Sequence, residues 1–138
     1  MTKKTLSILI IPLIVLVGVL LLYYFNSTKI EPPPNKMVKF ENINFIFTGY
    51  TADFNTEDLE LVETVKKQVN SFPEKSFEAY NIDKGTKVYL VLKTAYSKNP
   101  DYKGVLVIKN NKNYLIGHPF ARNNKERNDI AGWMNKFD

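Results

Sequence analysis

"NTEDLELVETVKKQVNSF", Asn55–Phe72, is the stretch on which the fold reading turns. Leu59, Val62, Val65, Val69 and Phe72 recur at three- and four-residue spacing, and Leu61 widens the face they form. That periodicity predicts an amphipathic helix. Asn55 or Thr56 is placed to cap it, and Pro73 to stop it. Glu57, Asp58 and Glu60 lie at its positive end, with Lys66 and Lys67 towards the negative end.

Upstream, "VKFENINFIFTGY" (38–50) alternates Ile43, Phe45 and Phe47 with Asn42 and Asn44, the pattern of a half-buried strand. "GYTADFN" after it reads as a loop. Downstream, "PEKSFEAYNIDKG" (73–85) is expected to add one helical turn, with Phe77 and Tyr80 pointing inward. "TKVYLVLKT" (86–94) is apolar on both faces: Val88, Leu90 and Leu92 against Tyr89 and Val91. That suits a central strand. "GVLVIK" (104–109) and "NYLIGH" (113–118) are two more strands, joined by Asn110, Asn111 and Lys112. Asn tolerates the left-handed backbone of tight turns. Finally, Ile130, Trp133, Met134 and Phe137 mark a helix in "NNKERNDIAGWMNKF" (123–137), capped by Asn123 or Asn124.

The expected fold class is α+β. Its order is β-α-β-β-β-α, with two helices on one face of a mostly antiparallel four-stranded sheet. Cystatin-like and NTF2-like folds share that element order. The analogy is one of order alone, and no motif accompanies it.

Ahead of this domain, "LSILIIPLIVLVGVLLLYYF" (6–25) runs for twenty residues without a charge. As a helix at ~1.5 Å per residue, it matches the ~30 Å hydrocarbon core. Tyr23 and Tyr24 sit where an interfacial aromatic belt belongs. A cleavable signal peptide would have a shorter core and a small-x-small site, and neither is present. The division expected is therefore a cytoplasmic tail at 1–5, a transmembrane signal-anchor at 6–25, a Pro-rich stalk at 26–37 and an extracytoplasmic domain at 38–138. The short N-terminal tail favours a cytoplasmic amino terminus and a cell-membrane location. Three prolines at 32–34 favour a stiff polyproline II spacer.

Composition narrows the function. There are 138 residues, no Cys, one His and a net charge of +5. Disulfides, thiolate metal sites and a Cys nucleophile are excluded. Lys far outnumbers Arg, which occurs only at Arg122 and Arg127. Such bias often follows AT-rich coding and suggests a bacterial source. Charge is bipolar: residues 29–83 carry −4 and residues 84–138 carry +7. A nucleic-acid partner would call for a basic stripe with Arg forks, so none is expected.

His118 in "IGHPFAR" has no second His or Cys with which to hold a metal. Ser71, Ser76 and Ser97 carry no nucleophile signature. Glu60 and Glu63 would face water on the predicted helix and make a poor acid pair. No catalytic, metal or cofactor residues are assigned, and an enzyme built on His118 is the least favoured alternative.

The long connection "KTAYSKNPDYKG" (93–104) carries Tyr96, Lys98, Tyr102 and Lys103, large contact surface on a loop. Together with His118, Phe120 and Arg122 these are the candidate partner-binding residues. The function read from the chain is a single-pass, membrane-anchored envelope protein, non-enzymatic, accessory or scaffold in character. Its partners would be the lipid bilayer and another protein at the outer membrane surface. The alternative is an anchored immunity or inhibitor protein, whose acidic first helix blocks a basic toxin or enzyme.

Overall fold

The computed structural model describes residues 3–27, 33 and 35–138. The first two residues of the tail and half of the Pro-rich stalk lie outside them. The chain divides into two compact units, Met1–Glu31 and Pro32–Asp138.

The first unit is one helix, α1 (Lys3–Ser27), with Pro12 inside it. Its side chains are described from Ile10 to Tyr24, and all are exposed, including Ile11 at 63% and Leu22 at 66%. Over its described residues, no helix is long and apolar enough to cross a membrane. The described side chains of α1 cover only part of the apolar run and fall short of the ~20 residues a crossing takes.

The second unit is α+β. Its strands are β1 (Lys36–Phe40), β2 (Ile43–Ala52), β3 (Leu59–Thr64), β4 (Lys67–Val69), β5 (Glu78–Tyr80), β6 (Lys87–Val91), β7 (Leu106–Asn110) and β8 (Asn113–Phe120). Its helices are α2 (Lys93–Tyr96) and α3 (Asn124–Asn135), with 3-10 turns at Thr56–Asp58 and Pro100–Tyr102. The eight strands form one sheet in the order β3-β6-β7-β8-β2-β1-β5-β4. Every pairing is antiparallel except β4 with β5.

The sheet has to curl. Its two outermost strands, β3 and β4, are separated by only Val65 and Lys66. A flat eight-stranded sheet would hold its edges roughly 33 Å apart at ~4.8 Å per strand. Two linking residues span about 10 Å. The hydrogen bonds show the closure. Val65 donates to Thr86 O and accepts from Gly85 N, both at 2.8 Å, continuing the β6 side. Lys66 N donates to Phe77 O at 2.9 Å, on the β5 side. The stretch 59–69 thus pairs with one end of the sheet and then with the other.

The expected helix over 55–72 is therefore a pair of strands behind a short 3-10 turn. The reason lies in a bulge: the β3–β6 register shifts between Leu61 and Glu63. A bulge flips the in–out alternation. Leu59 consequently packs into one hydrophobic cluster and Val62 and Val65 into the other, so their three-residue spacing imitates a helix face without forming one. Leu61, expected on the apolar face, is 51% exposed. The helical turn expected in 73–85 is β5, with Phe77 buried and Tyr80 half-buried. The single strand expected at 38–50 is a hairpin. Glu41 and Asn42 turn it with φ of 48° and 64°, the doubly left-handed turn that matches strand twist. With no helix after the first strand, the cystatin/NTF2-like order does not hold.

The rest follows the expected pattern. β6, β7 and β8 form a meander, turned at Asn111 (φ 56°). β6 is apolar on both faces. Val88 and Leu90 enter the inner cluster with Phe45, Leu106 and Trp133, while Tyr89 and Val91 enter an outer one with Val107 and Tyr114. α3 starts at Asn123, whose Oδ1 accepts from Glu126 N at 2.9 Å. Its apolar residues Ile130, Trp133 and Met134, and Phe137 just beyond its end, all reach the inner cluster. The helices do not share one face, because Ala95 of α2 joins the outer cluster.

Candidate functional site

The most developed surface feature begins with a defect in β2. Phe47 pairs with Gly117 and Thr51 with Leu115, so Thr48, Gly49 and Tyr50 together oppose Ile116 alone. Gly49 has φ of 97°, a conformation that L side chains rarely adopt. Bulges of this kind re-aim side chains. Here Tyr50 is thrown outward and is 69% exposed.

Tyr50 forms one wall of an open groove of about 570 Å³, lined also by Thr51, Asp101, Tyr102, Ile116 and His118. Asp101 and Tyr102 come from the 3-10 turn after Asn99, whose Oδ1 accepts from Asp101 N at 3.1 Å. Pro100 fixes the first residue of that turn. Tyr102 is buttressed. Its ring meets Phe54 edge-on at 5.0 Å, Phe54 meets Tyr114 at 6.0 Å, and Tyr114 meets Tyr89 at 6.1 Å. His118 stands on β8, exposed, on the same strand face as Ile116. Neither the Asp101 carboxylate nor the His118 imidazole has an ion-pair or hydrogen-bond partner among the described residues.

Of the candidate residues named from the sequence, the fold brings Tyr102 and His118 together in this groove. Phe120 follows on the same strand and is half-buried. The others go elsewhere. Tyr96 packs on Phe137 at 6.0 Å. Lys103 pairs with Asp138. Arg122 bonds Glu126 at 2.7 Å and lies over the Phe72 ring at 4.4 Å. Lys98 is exposed. Tyr50, Thr51 and Asp101 were missed. The available signal was Gly49 inside an otherwise strand-like run, which marks a bulge.

Among the described residues, no group of three His, Cys, Asp or Glu is placed to hold a metal ion. The Ser97 hydroxyl donates to the carbonyl of Thr94. What the groove offers is two aromatic faces, a carboxylate and an imidazole in an open, solvent-lined trough. That set suits capture of a protruding side chain, above all a basic one. A cation gains from the tyrosine faces and from Asp101 together. Comparison of the chain with protein-family models, curated proteins and solved structures found no match.

Proposed function

We propose that this is a membrane-anchored, non-enzymatic protein whose curled α+β domain binds another protein at the outer membrane surface. The groove beside the β2 bulge receives a basic side chain of that partner. The observation that carries the reading is Tyr50, which a bulge and a left-handed glycine hold 69% exposed beside Asp101, Tyr102 and His118. Large exposed aromatics are expensive to leave in water and are enriched at the centres of interfaces. The anchor rests on the uncharged run 6–25 and on the exposed apolar side chains from Ile10 to Leu22, which lipid would accommodate.

Crosslinking in cells with mass spectrometry tests it. A defined partner should be captured by the native chain and lost with Tyr50→Ala and Asp101→Asn. Both positions are exposed, so folding should be preserved. Capture that is indifferent to both changes removes the groove from the account.

One observation favours the inhibitor reading as a second. Glu57, Asp58 and Glu60 gather where the chain enters β3, an end strand of the sheet that carries the exposed Leu61. An acidic strand edge suits a basic, extended target. Target protection that survives charge reversal at Glu57 and Glu60 rules this reading out.

A further inference from the structure

The bipolar charge of the sequence acquires a location in the fold. Lys36 begins β1, and the hollow beside it, of about 270 Å³, is lined also by Asp83, Thr86, Lys109 and Asn110. Lys87 lies next to Lys109 across the β6–β7 ladder, one position beyond the Val88–Ile108 pair. Lys84 sits in the loop that lines the hollow, and Lys112 in the turn that closes β7 on β8. Five lysines therefore rim one end of the curled sheet, and all are exposed. None makes an ion pair among the described residues. Asp83 is the one acid lining the hollow.

The opposite end is different. There the β1–β2 turn and α3 meet, and three cations are paired: Lys136 with Glu41, Arg122 with Glu126, Lys103 with Asp138, while Lys125 and Arg127 of α3 have no ion pair among the described residues. The rim of five lysines lies at the end where the chain enters the domain. Eight residues separate Ser27 at the end of α1 from Lys36. Their covalent reach is at most ~29 Å, so this rim is the part of the domain most closely tied to the anchor.

We infer that the rim of Lys36, Lys84, Lys87, Lys109 and Lys112 docks on anionic phospholipid headgroups of the membrane that holds the chain. Lysines near such a surface contribute about fivefold each in affinity, and only within about one Debye length. The short tether lets them reach that range. Docking of this end leaves the opposite end, with α3, turned away from the lipid. This inference rests on the anchored reading of α1.

The test uses the full chain in two kinds of vesicle, phosphatidylcholine alone or with roughly one-third phosphatidylglycerol. Because the chain has no Cys, Asn111→Cys places a single fluorophore at the rim and Asn128→Cys one on α3. Energy transfer to a headgroup acceptor should rise for position 111 when anionic lipid is present and should not rise for position 128. It should fall back in high salt. It should also fall back when all five lysines are replaced by Gln, and persist when Lys75, Lys93 and Lys125 are replaced instead. Equal transfer from position 111 in both lipids, or no effect of the five substitutions, overturns the inference.

Flotation with neutral vesicles after a high-salt wash reads the anchor separately. If the chain does not float, the anchored reading fails on its own. Binding of the added chain to anionic vesicles then decides the rim: a loss of at least about tenfold on the five substitutions sustains it, and no loss overturns it.

Discussion

Single atoms decide several features of the domain. Trp133 is buried and donates from Nε1 to Gly104 O at 2.8 Å, while its ring meets Phe40 and Phe45 edge-on at 5.6 Å each. Trp133→Phe should cost about 1–3 kcal/mol in chemical denaturation, chiefly by stranding that carbonyl. Gly117 lets the Phe47 ring lie across β8. A Cβ there would stand 2.6 Å from the ring, so Gly117→Ala should lower stability by about 1–3 kcal/mol. Asn44 is 3% exposed and its Oδ1 has no partner among the described residues. An unpaired buried acceptor is a standing penalty, so Asn44→Val should raise the melting temperature, corresponding to about 1 kcal/mol. Asn44 was read from the sequence as the polar side of a half-buried strand. It does face away from Phe45, but the sheet is covered on that side too, as Met37 at 0% exposure shows. Alternation reports which face a residue occupies and says nothing of what lies over that face.

At the level of elements, the meander β6–β8 and the helix α3 were legible because their periodicities run unbroken. The region 55–72 was not, because a bulge between Leu61 and Glu63 gave a strand the three-residue spacing of a helix. The competing signal was β-branching: Val62, Thr64, Val65 and Val69 all favour strands. Tyr50 was hidden for a related reason. Its exposure depends on the pairing of β2 with residues some sixty-five positions later, which no local window contains. His118 and Tyr102 could be singled out by type alone, although nothing in the sequence indicated that they share a groove. Closure of the sheet supplies a test at this scale. The Lys66 side chain is exposed, but its N–H bonds Phe77 O across the closure. Lys66→Ala should change stability by less than about 0.5 kcal/mol. Lys66→Pro should cost about 2–3 kcal/mol by removing that donor. Equal effects of the two substitutions would mean that the closure contributes little.

For the whole molecule, a charge imbalance between halves is legible in the sequence, but its geometry is not. Folding joins the two halves in one sheet, with β2 beside β8 and β3 beside β6. A rim of five lysines without ion pairs among the described residues then stands at one end, and three ion pairs stand at the other. The groove at Tyr50 and the rim are built from different residues, so a protein partner and a lipid surface need not compete. The central claim is that the groove engages a partner protein. A photo-crosslinking residue placed at Tyr50 of the full chain in cells tests this most directly, with Lys125 on α3 as the comparison position. The account predicts one discrete adduct from position 50, diminished by Asp101→Asn and absent from position 125. Adducts of the same kind from both positions, or none from position 50, would contradict it.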